Sequence, residues 1–353
     1  TDRDDVQLTV QTSEALTSID VETTVGLRTT VNNAPLLTSL SRVHGGRDVL
    51  NLSYVGLDAV HMVGDIADLT LRHSPTTAVF VDATERFHAD IEHMGDLQSL
   101  TLGTAPMDLD LFLYSVSLSS LSADSLGNAA IRLVGGANLV DVNLAAAGAM
   151  HAELGDLGEG AAMAFTAGDA LEIDVDPGPF YNPTGWVADS LAVEAGCLSS
   201  LTVRSAQFQV DNVTIANTTT CTSTLERLQG NAFHMSTAGT SVVDLDTVDY
   251  NDLHIAGDVV ALTTTNTSAT NLELEAASKV RHILKSYSVF TKGTYRGPLD
   301  YIDFRRTSGG YNSSQYCRRG SSTPTCAIDE LHLYGDHPDS NSAYNQTYGV
   351  QDV

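Results

Sequence analysis

Apolar and polar residues alternate at every second position over much of the chain. Residues 6–10, 109–113 and 201–203 follow this pattern, and Gly, Asn, Asp and Ser separate the runs, as at Gly45-Gly46 and Gly135-Gly136. Alternation places successive side chains on opposite faces of a strand. The pattern therefore predicts a mainly β protein with many short strands, tight turns and few helices.

Short apolar doublets recur between residues 48 and 176. They are Leu50/Leu52, Leu69/Leu71, Leu100/Leu102, Val142/Leu144 and Ile173/Val175. A solenoid-like N-terminal half and a plain β-meander both produce such doublets. Their intervals of 19, 31 and about 40 residues are too irregular for a leucine-rich or hexapeptide repeat, which favours the meander.

One segment, residues 276–290, shows a different period. Its apolar residues recur at intervals of three and four, and basic residues lie between them: Ala277, Val280, Ile283 and Leu284, with Lys279, Arg281, His282 and Lys285. This spacing predicts a short amphipathic helix packed on a sheet, in preference to a basic patch facing a membrane.

A Pro/Gly-rich segment divides the chain. Residues 177–185 contain three prolines and two glycines, which exclude a helix or a central strand. All four cysteines and five of the six Asn-x-Ser/Thr sequons follow it. We therefore expect two domains, an N-terminal β-rich domain at 1–176 and a disulfide-containing C-terminal one at 197–353, joined by a loop or linker at 177–196.

The charge balance excludes one class of partner. The 353 residues include 44 acidic and 18 basic side chains, for a formal net charge of −26, which repels phosphate backbones and excludes nucleic acid as a partner. The opening residues are polar, and no apolar run approaches the length needed to cross a bilayer.

The kind of charge is also informative. Aspartate outnumbers glutamate 32 to 12, and only three lysines accompany 15 arginines. Short carboxylates with almost no lysine are expected where molar salt screens repulsion. The composition therefore favours a halophilic protein over a calcium-loaded extracellular one, because no EF-hand loop or Gly-Asp nonapeptide repeat is present.

Sequons and cysteines indicate an extracellular location. The candidate N-glycosylation sites are Asn51, Asn212, Asn217, Asn266, Asn312 and Asn345, and the last four lie in polar stretches typical of surface loops. Of the three possible cysteine connectivities, the local one, Cys197–Cys221 with Cys317–Cys326, is favoured. Zinc ligation is disfavoured because the sequence lacks a Cys-x2-Cys spacing.

Sequence motifs for catalysis are absent: there is no Gly-x-Ser-x-Gly elbow, phosphate-binding loop or His-Glu-x-x-His. On a strand, His88, Asp90 and Glu92 share one face, as metal ligands do, but a solvated polar face explains them better. Residues 332–339 are likewise better explained as a solvated polar segment than as metal ligands. We assign no catalytic residue, metal site or cofactor, and we expect the protein not to be an enzyme.

Two segments are candidates for membrane interaction. The Pro/Gly loop carries Phe180, Tyr181 and Trp186, and aromatic side chains on a rigid turn suit the depth of lipid head groups. A domain-interface plug has the same composition. The second candidate comprises Ala145, Ala146, Ala147 and Met150, a small-residue stretch with the composition of a fusion peptide, although close-packed strands share it.

The salt-adapted composition, the sequons, the two cysteine pairs and the β-rich halves together resemble the spike ectodomain of haloarchaeal pleomorphic viruses. The resemblance covers most of the chain and implies a two-domain ectodomain on the virion envelope, whose membrane anchor lies outside this sequence. It implies attachment to the host-cell surface or its membrane lipids, followed by membrane fusion through a conformational rearrangement.

Two other classes of function remain open. One is a secreted haloarchaeal adhesin or surface-layer module, which needs no releasable apolar element. The other is an extracellular polysaccharide-acting enzyme on a β-solenoid, which needs two carboxylates at a defined separation. The sequence indicates neither a receptor nor an oligomeric state.

Overall fold

The computed structural model describes most of the chain. The described residues are 6–11, 16–23, 25–35, 37–43, 46–74, 76–92, 96–102, 107–134, 139–155, 157–176, 186–203, 208–285, 288–297, 299–305, 326–334 and 346–349. From residue 299 onward this description covers the backbone alone.

The described residues form strands and no helix, and they build a parallel β-solenoid of about 11 turns. The expectation of a mainly β protein is confirmed. The preference for a meander is wrong, because nearly all strand pairs are parallel and therefore require a long return of the chain between partners.

The chain divides into two compact units. The first comprises Thr1–Asp169 and Asp176–Asn182. Its strands are β1 (Val6–Gln11), β2 (Ser18–Glu22), β3 (Leu27–Asn32), β4 (Ser39–Val43), β5 (Arg47–Ser53), β6 (Leu57–Arg72), β7 (Thr76–Glu92), β8 (Asp96–Leu102), β9 (Met107–Tyr114), β10 (Ser117–Val134), β11 (Leu139–Ala146), β12 (Met150–Gly155) and most of β13 (Leu157–Asp176). All its strand pairs are parallel, and β2 and β4 form a separate two-stranded sheet.

The second unit comprises Ala170–Val175 and Pro183–Val353. Its strands are β14 (Trp186–Val203), β15 (Phe208–Asn217), β16 (Cys221–Glu226), β17 (Gln229–Asp246), β18 (Asp249–Thr265), β19 (Ser268–Ala276), β20 (Val280–Lys285), β21 (Ser288–Arg296), β22 (Leu299–Arg305), β23 (Cys326–Tyr334) and β24 (Gln346–Gly349). These strands also pair in parallel, except that β23 and β24 are antiparallel.

These bounds differ from the expected linker. Residues 186–196 belong to β14, because Ala188, Leu191 and Val193 alternate inward and are buried. Residues 177–185 lie outside the described part of the chain. The domain boundary inferred from the sequence stays a prediction.

Several solenoid turns contain an arch, a single residue with positive φ that precedes a buried residue. In the first unit Asn33, Tyr54 and His73 occupy this position at intervals of 21 and 19 residues, and in the second unit Arg227, Thr247 and Asn266 do so at intervals of 20 and 19. The backbone N–H of Tyr54 donates to the carbonyl of Arg72 on the next turn at 3.1 Å, and equivalent bonds recur at Asn33, His73, Arg227 and Thr247. The arch thus passes the chain from one strand segment to the next without losing its hydrogen bonds.

Inward side chains stack from turn to turn. In the first unit one column is entirely aliphatic: Val31, Leu52, Leu71, Ile91, Leu113, Leu133 and Leu154. In the second unit a column contains Val193, Ile215, Met235, Ile255, Leu274 and Tyr295. All of these side chains are buried, so each turn covers the apolar face of its neighbour.

The expected helix at 276–290 is wrong. The segment contains the end of β19, all of β20 and the start of β21. Val280, His282 and Leu284 point inward and are buried, so the true period is two. The period of two was missed in the sequence because one inward position is His282, which a hydrophobicity pattern counts as polar.

One ion pair lies inside the first unit. Asp48 occupies an inward column between Leu27 and Ala67, and its carboxylate pairs with the guanidinium of Arg42 on β4. The two side chains are 0% and 2% exposed. Burial lowers the pKa of Arg42, and the charge and hydrogen bond of Asp48 oppose that shift. The pair therefore exists because each charge compensates the other's desolvation.

Candidate functional site

The face that His88, Asp90 and Glu92 share on β7 points outward, and each side chain contacts a neighbouring turn. His88 Nδ1 lies 2.9 Å from Asp110 Oδ2. Arg72 lies 3.6 Å from Asp90 and 3.4 Å from Glu92. These residues form a ladder of opposite charges along the first unit, an arrangement that favours correct pairing of adjacent turns.

The small-residue membrane candidate belongs to the stack of strands. Ala146 and Met150 are 5% and 2% exposed, and Ala145 and Ala146 are paired with Thr166 and Ala167 of β13. Ala147 is exposed and Ala145 is half-buried. The segment is therefore a turn between β11 and β12 whose larger apolar side chain faces the core.

The aromatic membrane candidate is only partly described. Phe180 and Tyr181 lie outside the described residues, and Trp186 is the first residue of β14. Within the described part of the chain, no helix has the length and apolarity needed to cross a membrane. Membrane contact through Phe180, Tyr181 and Trp186 stays a prediction.

The disulfide Cys197–Cys221 is confirmed, and it joins β14 to the first residue of β16 with 5.2 Å between the Cα atoms. Cys221 is 4% exposed. Cys317 lies outside the described residues and Cys326 begins β23, so the second disulfide stays a prediction.

The sequons differ in exposure. Asn212 and Asn266 are exposed and Asn51 is half-buried on β5, whereas Asn312 and Asn345 lie outside the described residues. The expectation that Asn217 is a surface residue is wrong, because its side chain is 2% exposed. Its Oδ1 accepts the Leu198 backbone N–H at 2.9 Å, and its Nδ2 donates to Ser223 Oγ at 3.0 Å. The amide nitrogen that would carry a glycan is thus inside the core.

The second unit has a cluster of titratable side chains on its outward face. We call it the His–Glu cluster and define it as His254, Glu273 and Glu275, whose nearest ligand-type atoms all lie within 4.8 Å of one another. His254 Nε2 is 3.9 Å from Glu275 Oε2. Arg296 Nε lies 2.8 Å from Glu273 Oε1 and 3.5 Å from Glu275 Oε1.

The solenoid register creates this cluster. His254 on β18 is the parallel partner of Glu273 on β19, and Glu275 follows two positions later on the same face. His234 on β17 precedes His254 in the same column, with 3.4 Å between their Nδ1 atoms. Sequence reasoning missed the cluster because a 19-residue separation predicts a contact only once the length of a turn is known.

One atom of the cluster lacks a partner. His254 Nε2 is shielded from solvent and has no hydrogen-bond partner among the described residues. Shielded nitrogen atoms of histidine are normally hydrogen-bonded, since an unsatisfied polar atom carries a desolvation cost. The site therefore contains a nitrogen directed at two carboxylates but too distant to hydrogen-bond to them.

Comparison with protein-family models, with curated proteins and with solved structures finds no match to this chain. The resemblance to a viral spike therefore stays a prediction, and a proposal for the function rests on the fold and the described residues alone.

Proposed function

We propose that this protein is a non-catalytic module of an extracellular surface in concentrated salt, of the adhesin or surface-layer class. The observation that carries the proposal is the separation of roles between the two sides of each strand. Inward columns are mainly apolar and hold the turns together, whereas outward columns are mainly polar and carry carboxylates, hydroxyls, amides and basic groups. A stack of this kind keeps its outward side chains accessible to solvent, where a binding partner can reach them.

The location follows from covalent chemistry and charge. A disulfide between strands of the second unit is typical of an oxidising compartment outside the cytosol. The net charge of −26 destabilises a compact chain in dilute buffer, and molar salt screens it over roughly 3 Å. Both features support an exposed protein in a saline environment.

The spike function is the less favoured proposal because fusion requires an apolar element that can leave the fold. Of the two candidate elements, the segment around Ala146 and Met150 supplies side chains to the core. A polysaccharide-acting enzyme requires two carboxylates that can reach a substrate. Arg72 engages Asp90 and Glu92, and Arg296 engages Glu273 and Glu275, so these acidic pairs serve as partners of arginine.

Co-sedimentation in molar KCl tests the proposal. The labelled protein is mixed with haloarchaeal cell envelopes or with protein-free liposomes of archaeal lipid, and bound protein is measured across a concentration series. We expect saturable binding to envelopes and none to liposomes. The matched control is the same protein after reduction and unfolding in dilute buffer, which should not saturate.

Three results would overturn the proposal. Absence of binding to envelopes would exclude an adhesive role. Equal binding to envelopes and liposomes, increased by mild heating, would favour the spike. Release of new reducing ends from envelope polysaccharide during the incubation would favour the enzyme.

A further inference from the structure

We propose that the His–Glu cluster binds a first-row divalent transition metal ion of the zinc class. His254 Nε2 and one carboxylate oxygen each from Glu273 and Glu275 are the ligands. The inference goes beyond the proposed function and does not depend on it, since a surface module needs no metal.

The unpartnered nitrogen carries the argument. The 3.4 Å contact between the Nδ1 atoms of His234 and His254 has room for one shared proton. When His254 is the donor, its Nε2 is the unprotonated nitrogen and presents a lone pair. That lone pair is shielded from water and lacks a hydrogen bond, which is the state in which a neutral imidazole ligates a metal. Metal-binding histidines also usually donate a hydrogen bond from the ring nitrogen that does not hold the metal, as Nδ1 of His254 would do here.

The distances require only small side-chain movements. Zinc binds histidine nitrogen at about 2.0–2.1 Å and carboxylate oxygen at about 2.0–2.2 Å, so two ligand atoms of one ion lie at most about 4.4 Å apart. The three ligand atoms of the cluster are within 4.8 Å of one another. Glu273 and Glu275 are 37% and 46% exposed, so their side chains have room to rotate.

The charge of the cluster favours a divalent cation. Two carboxylates face the imidazole of His254, and the positive charge of Arg296 balances only one of them. A divalent ion would neutralise both carboxylates and displace Arg296, whose guanidinium is 49% exposed and can extend into solvent. An imidazole ligand selects zinc, nickel or cobalt over magnesium and calcium, which prefer oxygen ligands only.

Isothermal titration calorimetry of the EDTA-treated full chain with Zn2+ tests whether the site binds the ion. We expect one ion per chain, with affinity at least tenfold weaker in His254→Gln and in Glu273→Gln. Arg296→Gln should bind zinc more tightly, because it removes the competing cation. His88→Gln is the matched control, since His88 is also an exposed histidine beside a carboxylate, and its affinity should be unchanged.

The melting temperature of each variant without zinc must equal that of the wild type, which separates ligand loss from misfolding. Cobalt substitution gives a second readout, because visible absorption should report a nitrogen–oxygen ligand set that His254→Gln abolishes. The proposal is wrong if the wild type binds no zinc. It is also wrong if His254→Gln and His88→Gln weaken binding equally, because binding would then reflect the general acidity of the surface.

Discussion

The Nδ1 atom of His282 lies 2.5 Å from the hydroxyl oxygen of Tyr295, and both side chains are buried. This hydrogen bond connects β20 and β21, which lie in different columns of the second unit. The other ring nitrogen, Nε2, lies 3.1 Å from Thr264 Oγ1. An inward-facing histidine that is stacked next to Leu262 of the preceding turn is thus hydrogen-bonded at both ring nitrogens, which makes its burial tolerable.

Burial makes His282 a source of acid sensitivity. Desolvation lowers its pKa from 6.5 to about 3. Between these values the unfolded chain binds a proton that the folded chain does not, so the stabilising contribution is complete above pH 6.5 and is lost as the pH falls. We expect this residue alone to reduce the free energy of unfolding by about 1.4 kcal/mol per pH unit below pH 6.

Denaturant unfolding at constant salt between pH 7 and pH 5 measures this effect. His282→Gln should be less stable than the wild type at pH 7 but should show a shallower dependence on pH. The His88→Gln variant, which removes a solvent-accessible histidine, is the control for the loss of a histidine as such. Parallel slopes for the wild type and His282→Gln would show that His282 does not carry the acid sensitivity.

The buried ion pair of the first unit predicts a non-additive pair of mutations. Asp48→Asn leaves the Arg42 guanidinium buried without a counter-charge, and we expect a loss of about 3–5 kcal/mol in the free energy of unfolding. The double variant Asp48→Leu, Arg42→Met should recover most of this loss, because Leu fits a column that already contains Leu27 and Ala67. Denaturant unfolding of Asp48→Leu, of Arg42→Met and of the double variant measures the coupling. A double variant as unstable as the sum of the two single changes would contradict the interpretation.

The strands were predictable from the sequence because each inward residue is followed by an outward one. The solenoid was not, for two physical reasons. The spacing between registered residues of neighbouring turns is 19 residues from β5 to β6, 22 from β14 to β15 and 38 from β21 to β23. The arch position has positive φ but carries Asn33, Tyr54 or His73 instead of glycine. No fixed motif therefore marks the repeat.

Polar residues inside the core also concealed part of the strand pattern. Asp48 and His282 occupy inward columns, so the alternation of apolar and polar residues is interrupted at those positions. The His–Glu cluster could not be predicted from the sequence for another reason. His254 and Glu273 lie side by side only because of the pairing register of β18 and β19. Sequence periodicity specifies which face a residue occupies, but the contacts across turns require the register.

Glycosylation should follow exposure and not the sequon alone. We expect glycopeptide mass spectrometry of the protein from a glycosylating halophilic host to find Asn217 unmodified, because its Nδ2 is hydrogen-bonded inside the core. Asn212 and Asn266 are the expected acceptors on the second unit. Asn217→Ala should cost about 1–3 kcal/mol, since it leaves the Leu198 N–H buried without an acceptor. A glycan on Asn217 in folded protein would contradict the burial of this side chain.

Salt dependence should be localised to like-charged neighbours on adjacent turns. Glu226 on β16 is the parallel partner of Asp246 on β17, so the two acidic residues lie on one face of neighbouring strands, whose backbones are about 4.8 Å apart. At this distance the repulsion amounts to about 1 kcal/mol in dilute buffer and is strongly screened in molar salt. Glu226→Gln should therefore raise the free energy of unfolding in 0.1 M KCl and leave it unchanged in 3 M KCl.

Glu153→Gln supplies the opposite comparison, because Glu153 Oε2 accepts from Arg132 Nε at 2.9 Å. Loss of this ion pair should be slightly destabilising at low salt. If both variants respond to salt in the same direction, net charge and not the pairing of these side chains would govern the response.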